Sequence, residues 1–531
     1  MIEKKIENSV LRINSIELSK EELALFTPAF ESLLVVLHEE LNEERKRLLS
    51  ERFFMHKALE TGHVKRLVDT HAEVEGKWQM PDDVRANVRK AELCCAADND
   101  VLMRRLLQQP LSKAQGLNIV VDFEDSLKHT WKHLLAGMRM IQTVIVPRYM
   151  NGNERLAYKA PGISFRIRSM AAIEENVTIN NEPVCAGLFD LAMSFCLANK
   201  MMLQIQVEYY IPKIEHYQEA RWWNMIITLL ENFNEIADNA IKTIFIIETL
   251  PASYQIEAIL YETRNRTIAL SCGYRNRITS DLNIVKRKPD FILPERLHLD
   301  LKNNYLSDFA NYIIAVCHKH KALAIGGLTL NASGMTEDGN DEFVTKNNND
   351  IQQQHTLGFD GCWTAHYAHI PFILKTFTET HQLEKIPLGY DDIPDLLNIN
   401  LFPVTMEGLC DHVRTIITFL QAYNEGYASL IVNNRLEDVA TYEYAKTQVI
   451  DWYKKGITLD SGEKLNSRLV KDIIIQESEK LQELLAREFE GNPTGELGAI
   501  INTYTQAAIN FEQMVINSVS EDMLYTKQNV E

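Results

Sequence analysis

Residues 242–251, KTIFIIETLP, decide the fold. A β-branched, apolar run (Ile244-Phe245-Ile246-Ile247) ends in a single carboxylate, Glu248, and Pro251 then stops the strand from continuing. A run that is apolar on both faces predicts a strand of a parallel sheet covered by helices. The same texture recurs on either side: LNIVVDFED (117–125), ISFRIRS (163–169), VEYYIP (207–212), TIALSCG (267–273), ALAIGG (322–327) and CWTAH (362–366). AELCCA (91–96) is an eighth run, which could equally be helical. Amphipathic stretches such as EARWWNMIITLLENFNEIADNAI and LSDFANYIIAVCHKHK lie between the runs. Eight buried strands separated by helices predict a (β/α)₈ barrel over residues 89–395.

The flanks read differently. Residues 1–88 predict an N-terminal helical clasp, with Ser19 and Glu22 as a capping box and Thr27-Pro28 opening a long helix. Residues 396–531 predict a separate C-terminal helical domain, with stops at Gly456 and at the GNPTGELG turn. The Asn/Gln-rich stretch 331–356 predicts a solvent-facing loop.

Composition narrows the function. The formal net charge is −18, so the chain has no basic surplus for nucleic acid or an anionic membrane. No apolar run is long enough to span a bilayer, and the N-terminus lacks the apolar core of a secretory signal. Eight scattered cysteines without a C-x-x-C pair read as reduced thiols. The expectation is a cytoplasmic protein that binds neither nucleic acid nor membrane. Lys286-Arg287-Lys288 reads first as a solvated face and second as a phosphate contact.

In a barrel, the C-terminal ends of the strands and the loops after them form the active face. Polar residues stand there in strand after strand: Asp122, Glu124 and Asp125, Arg166 and Arg168, Lys213, Glu248, Asn276 and His366. Glu248 reads as a hard-cation ligand or, equally, as a cap for the next helix. Arg166 and Arg168 alternate, which predicts one shared face, and buried arginines need anionic partners. Those partners are an anionic substrate or barrel carboxylates such as Glu124 and Asp125. In RLEDVATYEYAKTQVIDWYKKG, Glu437 and Asp438 open a helix whose stripe is Val439, Tyr442, Val449 and Trp452. Acids at that position are ordinarily caps.

Taken together, the chain resembles the malate synthase family in its shorter, A-type form. The resemblance is carried by ERKRLLSER, VDFEDSLKHTW, FRIR, GLFDLAMSF, YYIPKIEHYQEARWW, IETLPASYQIEAIL, CHKHKALAIGG, GFDGCWTAH and LEDVATYEYAK, in that order. It implies the barrel with clasp and C-terminal domain, a monomer, and the condensation of acetyl-CoA with glyoxylate followed by hydrolysis of malyl-CoA. Carried over by position, Arg166 is the catalytic and substrate-binding arginine, Glu248 a Mg²⁺ ligand and Asp438 the general base. Gly273 and Asn276 fall at substrate-binding positions, and Asn276 also falls at the second metal position.

The chain departs from the family pattern in RTIALSCGYRNRIT (266–279), where the metal-binding aspartate is Asn276, flanked by Arg275 and Arg277. An uncharged amide there predicts weakened Mg²⁺ binding. The T-G-P after the first strand is CCAAD, Ser169 replaces the glycine after the arginine pair, and His366-Tyr367-Ala368 replaces His-Pro-Gly. Two alternatives stand beside the working enzyme. One is a related CoA-dependent Claisen or aldol enzyme for another 2-oxo acid, held by Arg275 or Arg277. The other is a non-catalytic relative.

Overall fold

The computed structural model describes residues 2–62, 74, 77–82, 87–108, 112–150, 160–202, 206–302, 304–329, 342–390, 392–399, 402–432, 435–488 and 495–528. Fourteen strands are numbered here in chain order: β1 (Ile2–Ile6), β2 (Ser9–Ile13), β3 (Ala91–Ala96), β4 (Leu117–Asp122), β5 (Gly162–Arg166), β6 (Ile173–Ile179), β7 (Glu182–Cys185), β8 (Val207–Ile211), β9 (Lys242–Ile247), β10 (Thr267–Cys272), β11 (Leu323–Gly326), β12 (Gly361–Thr364), β13 (Ser429–Val432) and β14 (Arg435–Asp438). β3, β4, β5, β8, β9, β10, β11 and β12 close into a parallel barrel, each on one of the eight predicted runs. β4, β5, β8, β9 and β10 are buried at every position, as strands walled by helices on one side and barrel interior on the other must be. AELCCA is a strand, paired with both β4 and β12.

The predicted caps hold. Ser19 and Glu22 form the reciprocal capping box, and Thr27 accepts from the Phe30 amide with Pro28 at the first helical position. The helix Pro28–Glu60 buries Phe30, Leu33, Leu34, Leu37, Leu41 and Leu48 along one face, at about 1.5–3 kcal/mol per side chain removed from water. It lies against helices Ala186–Met202 and Tyr217–Phe233. Part of the ERKRLLSER block rivets this clasp to the barrel. Arg45 donates to the Met170 carbonyl at 2.6 Å, and Arg52 forks onto Glu219 with both contacts at 2.8 Å.

Three expectations need correction. The N-terminal unit is not wholly helical: β1 and β2 form a hairpin that β6 and β7 extend to four strands. Ser9, Leu11 and Ile13 are buried while Val10 and Arg12 are only partly so, a period of two that a helical reading overlooks. Second, the polar stretch 331–356 is not simply a loop. Residues 331–341 lie outside the described residues, but Glu342–Leu357 is a helix whose buried stripe is Asn347, Ile351 and Gln354. Two of those three side chains are amides, so hydropathy hides the face. Third, Arg166 and Arg168 do not share a face, because β5 ends at Arg166. Arg168 turns away to Asp190 and Glu174.

The C-terminal region has its own apolar cluster, centred on Leu409, Ile416, Val449, Trp452, Ile474 and Phe511. Residues 491–494 of GNPTGELG lie outside the described residues, and the rest of it begins the helix Gly495–Gln528. Gly456 ends its helix in the left-handed conformation as predicted, with φ at 55°. Trp452 Nε1 donates to the Leu293 carbonyl at 2.9 Å, and Gln448 Nε2 donates to Pro294 at 2.6 Å. Helix Val439–Lys455 is thereby fastened to the connection between β10 and β11, just past helix Tyr274–Ile284. It also packs on helix Tyr274–Ile284, which follows β10.

Candidate active site

The polar strand ends converge at the C-terminal mouth of the barrel. Asp122, the last residue of β4, holds Arg166 at the end of β5 in a two-pronged contact, Nε–Oδ1 and Nη2–Oδ2 both at 2.6 Å. The second Arg166 nitrogen, Nη1, lies 3.1 Å from Asp125 Oδ2. A fork held on two carboxylates fixes the plane of the guanidinium. Burial alone would raise the Asp122 carboxyl. The Arg166 guanidinium outweighs it and holds that carboxyl below the usual range.

Lys213 follows β8 in a left-handed conformation, φ 53°, which a side-chain-bearing residue adopts only at a cost. That turn aims its own backbone amide at Glu248 Oε1 (2.8 Å) while its ammonium reaches Asp125 (2.7 Å) and Glu124 (2.8 Å). Burial works against both members of the Lys213–Asp125 pair. Their mutual attraction prevails, so the lysine titrates above and the aspartate well below its ordinary range.

Glu248, just beyond β9, sits in a slot. A Cβ on Gly273 would come within 2.4 Å of Glu248 Cβ, so position 273 is glycine for space. Burial, joined by the charge of Asp125, pushes the Glu248 carboxyl up to about 7. Asn276 lies in the first turn of helix Tyr274–Ile284. Its Nδ2 donates to Glu248 Oε2 at 2.8 Å and to Asp125 Oδ2 at 2.9 Å.

Asp438 arrives from the other end of the chain. It is the last residue of β14 and the N-cap of helix Val439–Lys455. Its Oδ1 accepts from the Thr441 amide and hydroxyl, at 2.8 and 2.9 Å, and its Oδ2 from Arg275 Nη1 at 3.0 Å. A backbone bond from the Val439 amide to the Asp125 carbonyl, 3.2 Å, ties this cap to the barrel loop. The predicted site residues Arg166, Glu248, Gly273, Asn276 and Asp438 line one cavity of about 50 Å³ together with Asp125, Arg275, Cys94 and Trp363. Burial and the nearby Asp122 push the Cys94 thiol far above its ordinary range, so it is an unreactive wall. The Arg166 guanidinium lies over the Trp363 ring, 5.3 Å from its centroid.

Other candidates separate from this group. Arg168 serves the barrel wall. His366 accepts from the Ala368 amide as a local cap. Arg277 is no anion receptor, since it is spent on Asp281 (2.5 Å) and Ser253 (2.7 Å) inside the wall. Arg275 is held by Asp438, Thr441 and the Thr329 carbonyl, and it still lines the cavity with its Nε unpartnered among the described residues. Lys286 and Arg287 are exposed, and Arg287 pairs with Glu60. Lys213 and Asp125 are the site members that sequence reading left among strand-end polar residues. The positive φ of Lys213 has no sequence signal, because lysine rarely adopts it.

A parallel barrel with a buried arginine, a ring of carboxylates and a carboxylate supplied from a C-terminal helix defines a TIM-barrel enzyme class suited to proton abstraction and enolate chemistry. Comparison with known proteins narrows this. The family description "Malate synthase, TIM barrel domain" matches residues 163–390, and "Malate synthase, C-terminal" matches residues 403–525. The glyoxysomal malate synthase of Candida tropicalis is 26% identical over 85% of this chain and 85% of its own. Malate synthase A of Escherichia coli K12 is 24% identical over 91% of this chain and 90% of its own. The malate synthase of Myxococcus xanthus DK1622 is 26% identical over 94% and 92%. The chain belongs to the malate synthase family, whose members are acyltransferases that convert the acyl group to an alkyl group on transfer.

The family is magnesium-dependent, and the residues here do not fit that ion. Mg²⁺ requires oxygen ligands at about 2.0–2.1 Å. Both carboxylate oxygens of Glu248 and both of Asp125 accept from nitrogen donors. Among the described residues, no group of three or more His, Cys, Asp or Glu is arranged to hold a metal.

Proposed function

We propose that this chain condenses acetyl-CoA with glyoxylate and hydrolyses the malyl-CoA formed, releasing malate and CoA. The observation carrying this reading is that Asp438, from the C-terminal unit, lines the same small cavity as Arg166, Glu248 and Gly273 of the barrel. A thioester methyl is a weak carbon acid, so base and enolate stabiliser must act together. Asp438 takes the methyl proton at Oδ2, the oxygen that Arg275 alone now holds. Arg166, its plane fixed by Asp122, stabilises the enolate oxygen. The enolate carbon bonds to the aldehyde carbon of glyoxylate, the alkoxide gains a proton, and water then cleaves the thioester. No step passes through a metal ion.

The cavity is small, about 50 Å³, which favours a small 2-oxo acid over a bulky one. A second cavity of about 470 Å³, lined by Asp98, Ser126, Lys128, His133 and Tyr427, is the candidate space for the thioester arm. The protein acts as a monomer in the cytoplasm. No described helix is long and apolar enough to cross a membrane.

Free CoA thiol should appear when the purified protein receives both substrates, and Asp438→Asn should lower the rate by about 10²–10⁴-fold. Asparagine keeps the helix cap, so the variant should remain folded. Release with pyruvate but not glyoxylate would replace glyoxylate as the substrate, and release with neither would remove the activity.

A further inference from the structure

We propose that Asn276 and Lys213 together stand in for a divalent cation at the barrel mouth, so that this chain binds no Mg²⁺ there. The argument is one of occupied lone pairs. Asn276 Nδ2 bridges Glu248 Oε2 and Asp125 Oδ2 at 2.8 and 2.9 Å, tying the two carboxylates together without an ion. The opposite oxygens are taken by two different atoms of Lys213. Its backbone amide lies 2.8 Å from Glu248 Oε1, and its ammonium 2.7 Å from Asp125 Oδ1.

Amide nitrogen and oxygen exchange places easily in assignment. Here the chemistry fixes the choice. With Asn276 turned over, its carbonyl oxygen would face the Asp125 carboxylate, which Lys213 and Arg166 hold ionised and without a hydrogen to share. Seating Mg²⁺ would require that turn, the retreat of the Lys213 ammonium and the loss of four N–H contacts. The ion would then find a neutral oxygen where an aspartate would have offered a charge. Lys213 also spends a left-handed backbone, φ 53°, to bring both its donors to bear, a conformation that persists only where its surroundings enforce it.

The replacement conserves the job of the cation. It joins the loop after β4 to the loop after β9 and neutralises part of a four-carboxylate ring, Asp122, Glu124, Asp125 and Glu248. The exclusion of the ion rests on these four contacts alone. That condensation proceeds without it rests on the activity proposed above.

The test titrates the full-length protein with Mn²⁺ and follows free Mn²⁺ by electron paramagnetic resonance, with Mg²⁺ as competitor. Wild type should leave the free-ion signal unchanged up to millimolar metal. Asn276→Asp should bind about one equivalent, displaced by Mg²⁺, and the double variant Asn276→Asp/Lys213→Met should bind at least tenfold more tightly. Stoichiometric, Mg²⁺-displaceable binding by wild type that Glu248→Gln removes would overturn the proposal. Should the aspartate variants fail to fold, the wild-type titration alone still decides. Turnover is read separately: CoA release that survives EDTA supports the cation-free reaction, and release that needs added Mg²⁺ overturns it. Because metal binding is read without substrate, loss of the activity reading leaves this result standing.

Discussion

The barrel carries two buried ionic layers, one at each end, and they are built to different ends. At the N-terminal end, Arg89 forks onto Glu92 and Glu208, Lys113 joins Glu208 at 2.7 Å, and Asn118 and Ser164 add hydrogen bonds to the two carboxylates. Two carboxylates meet two cations, and the layer is closed by short contacts. At the C-terminal end, four carboxylates meet only Arg166 and Lys213, an asparagine bridges two of them, one backbone is strained, and a cavity opens beside the cluster. Burying charge is costly in both places. A charge-balanced layer recovers that cost as structure, whereas an unbalanced layer with a cavity stores it for a ligand.

Breaking the N-terminal layer should have the largest effect. Arg89→Ala strands Glu92 and Glu208 in the barrel and should lower folding stability by about 3–5 kcal/mol in a chemical-denaturation experiment. A change below about 1 kcal/mol would mean that water reaches this end. The C-terminal layer should respond in the opposite currency. Arg166→Lys keeps the charge but loses the fork, so turnover should fall by about 10²–10³-fold with little change in melting temperature. An equal loss of stability and rate would make the two layers alike after all.

The smallest effect is a pH dependence. Glu248 titrates near 7 in the folded protein against an ordinary value of 4.5, because burial and Asp125 disfavour its charge. Between those values the folded chain holds a proton that the unfolded chain has released, so this residue's contribution falls as pH rises and levels off above about 7. Glu248→Gln should flatten that part of the stability profile. Asp350, also pushed up to about 7 by burial, titrates over the same window, so only part of the slope should vanish. Variants of the N-terminal layer should leave the slope in place.

Most of the barrel was legible because its strands obey one rule: apolar on both faces, then a polar end. β4 and β9 announce themselves this way, and so do Asp122 and Glu248 at their tips. The hairpin β1–β2 escaped because its alternation is short and diluted by lysines. The helix Glu342–Leu357 escaped because amides make up most of its buried stripe. At the site, residue identity was readable but pairing was not. Asn276 could be recognised as an altered metal position, yet nothing in the sequence says that its nitrogen meets Asp125, 151 residues away along the chain. The fates of Arg275 and Arg277 were equally hidden. Helical positions two apart point in different directions, and which of them meets Asp438 depends on the docking of the C-terminal helix.

That docking gives Asp438 a double employment. One oxygen starts a helix and the other faces the cavity, so the group proposed to remove a proton is also the first fastening of the element that carries it. Fraying of that helix by a single turn would silence the chemistry long before the barrel melted. Catalytic output would then act as an early reporter of how firmly the two ends of the chain are joined.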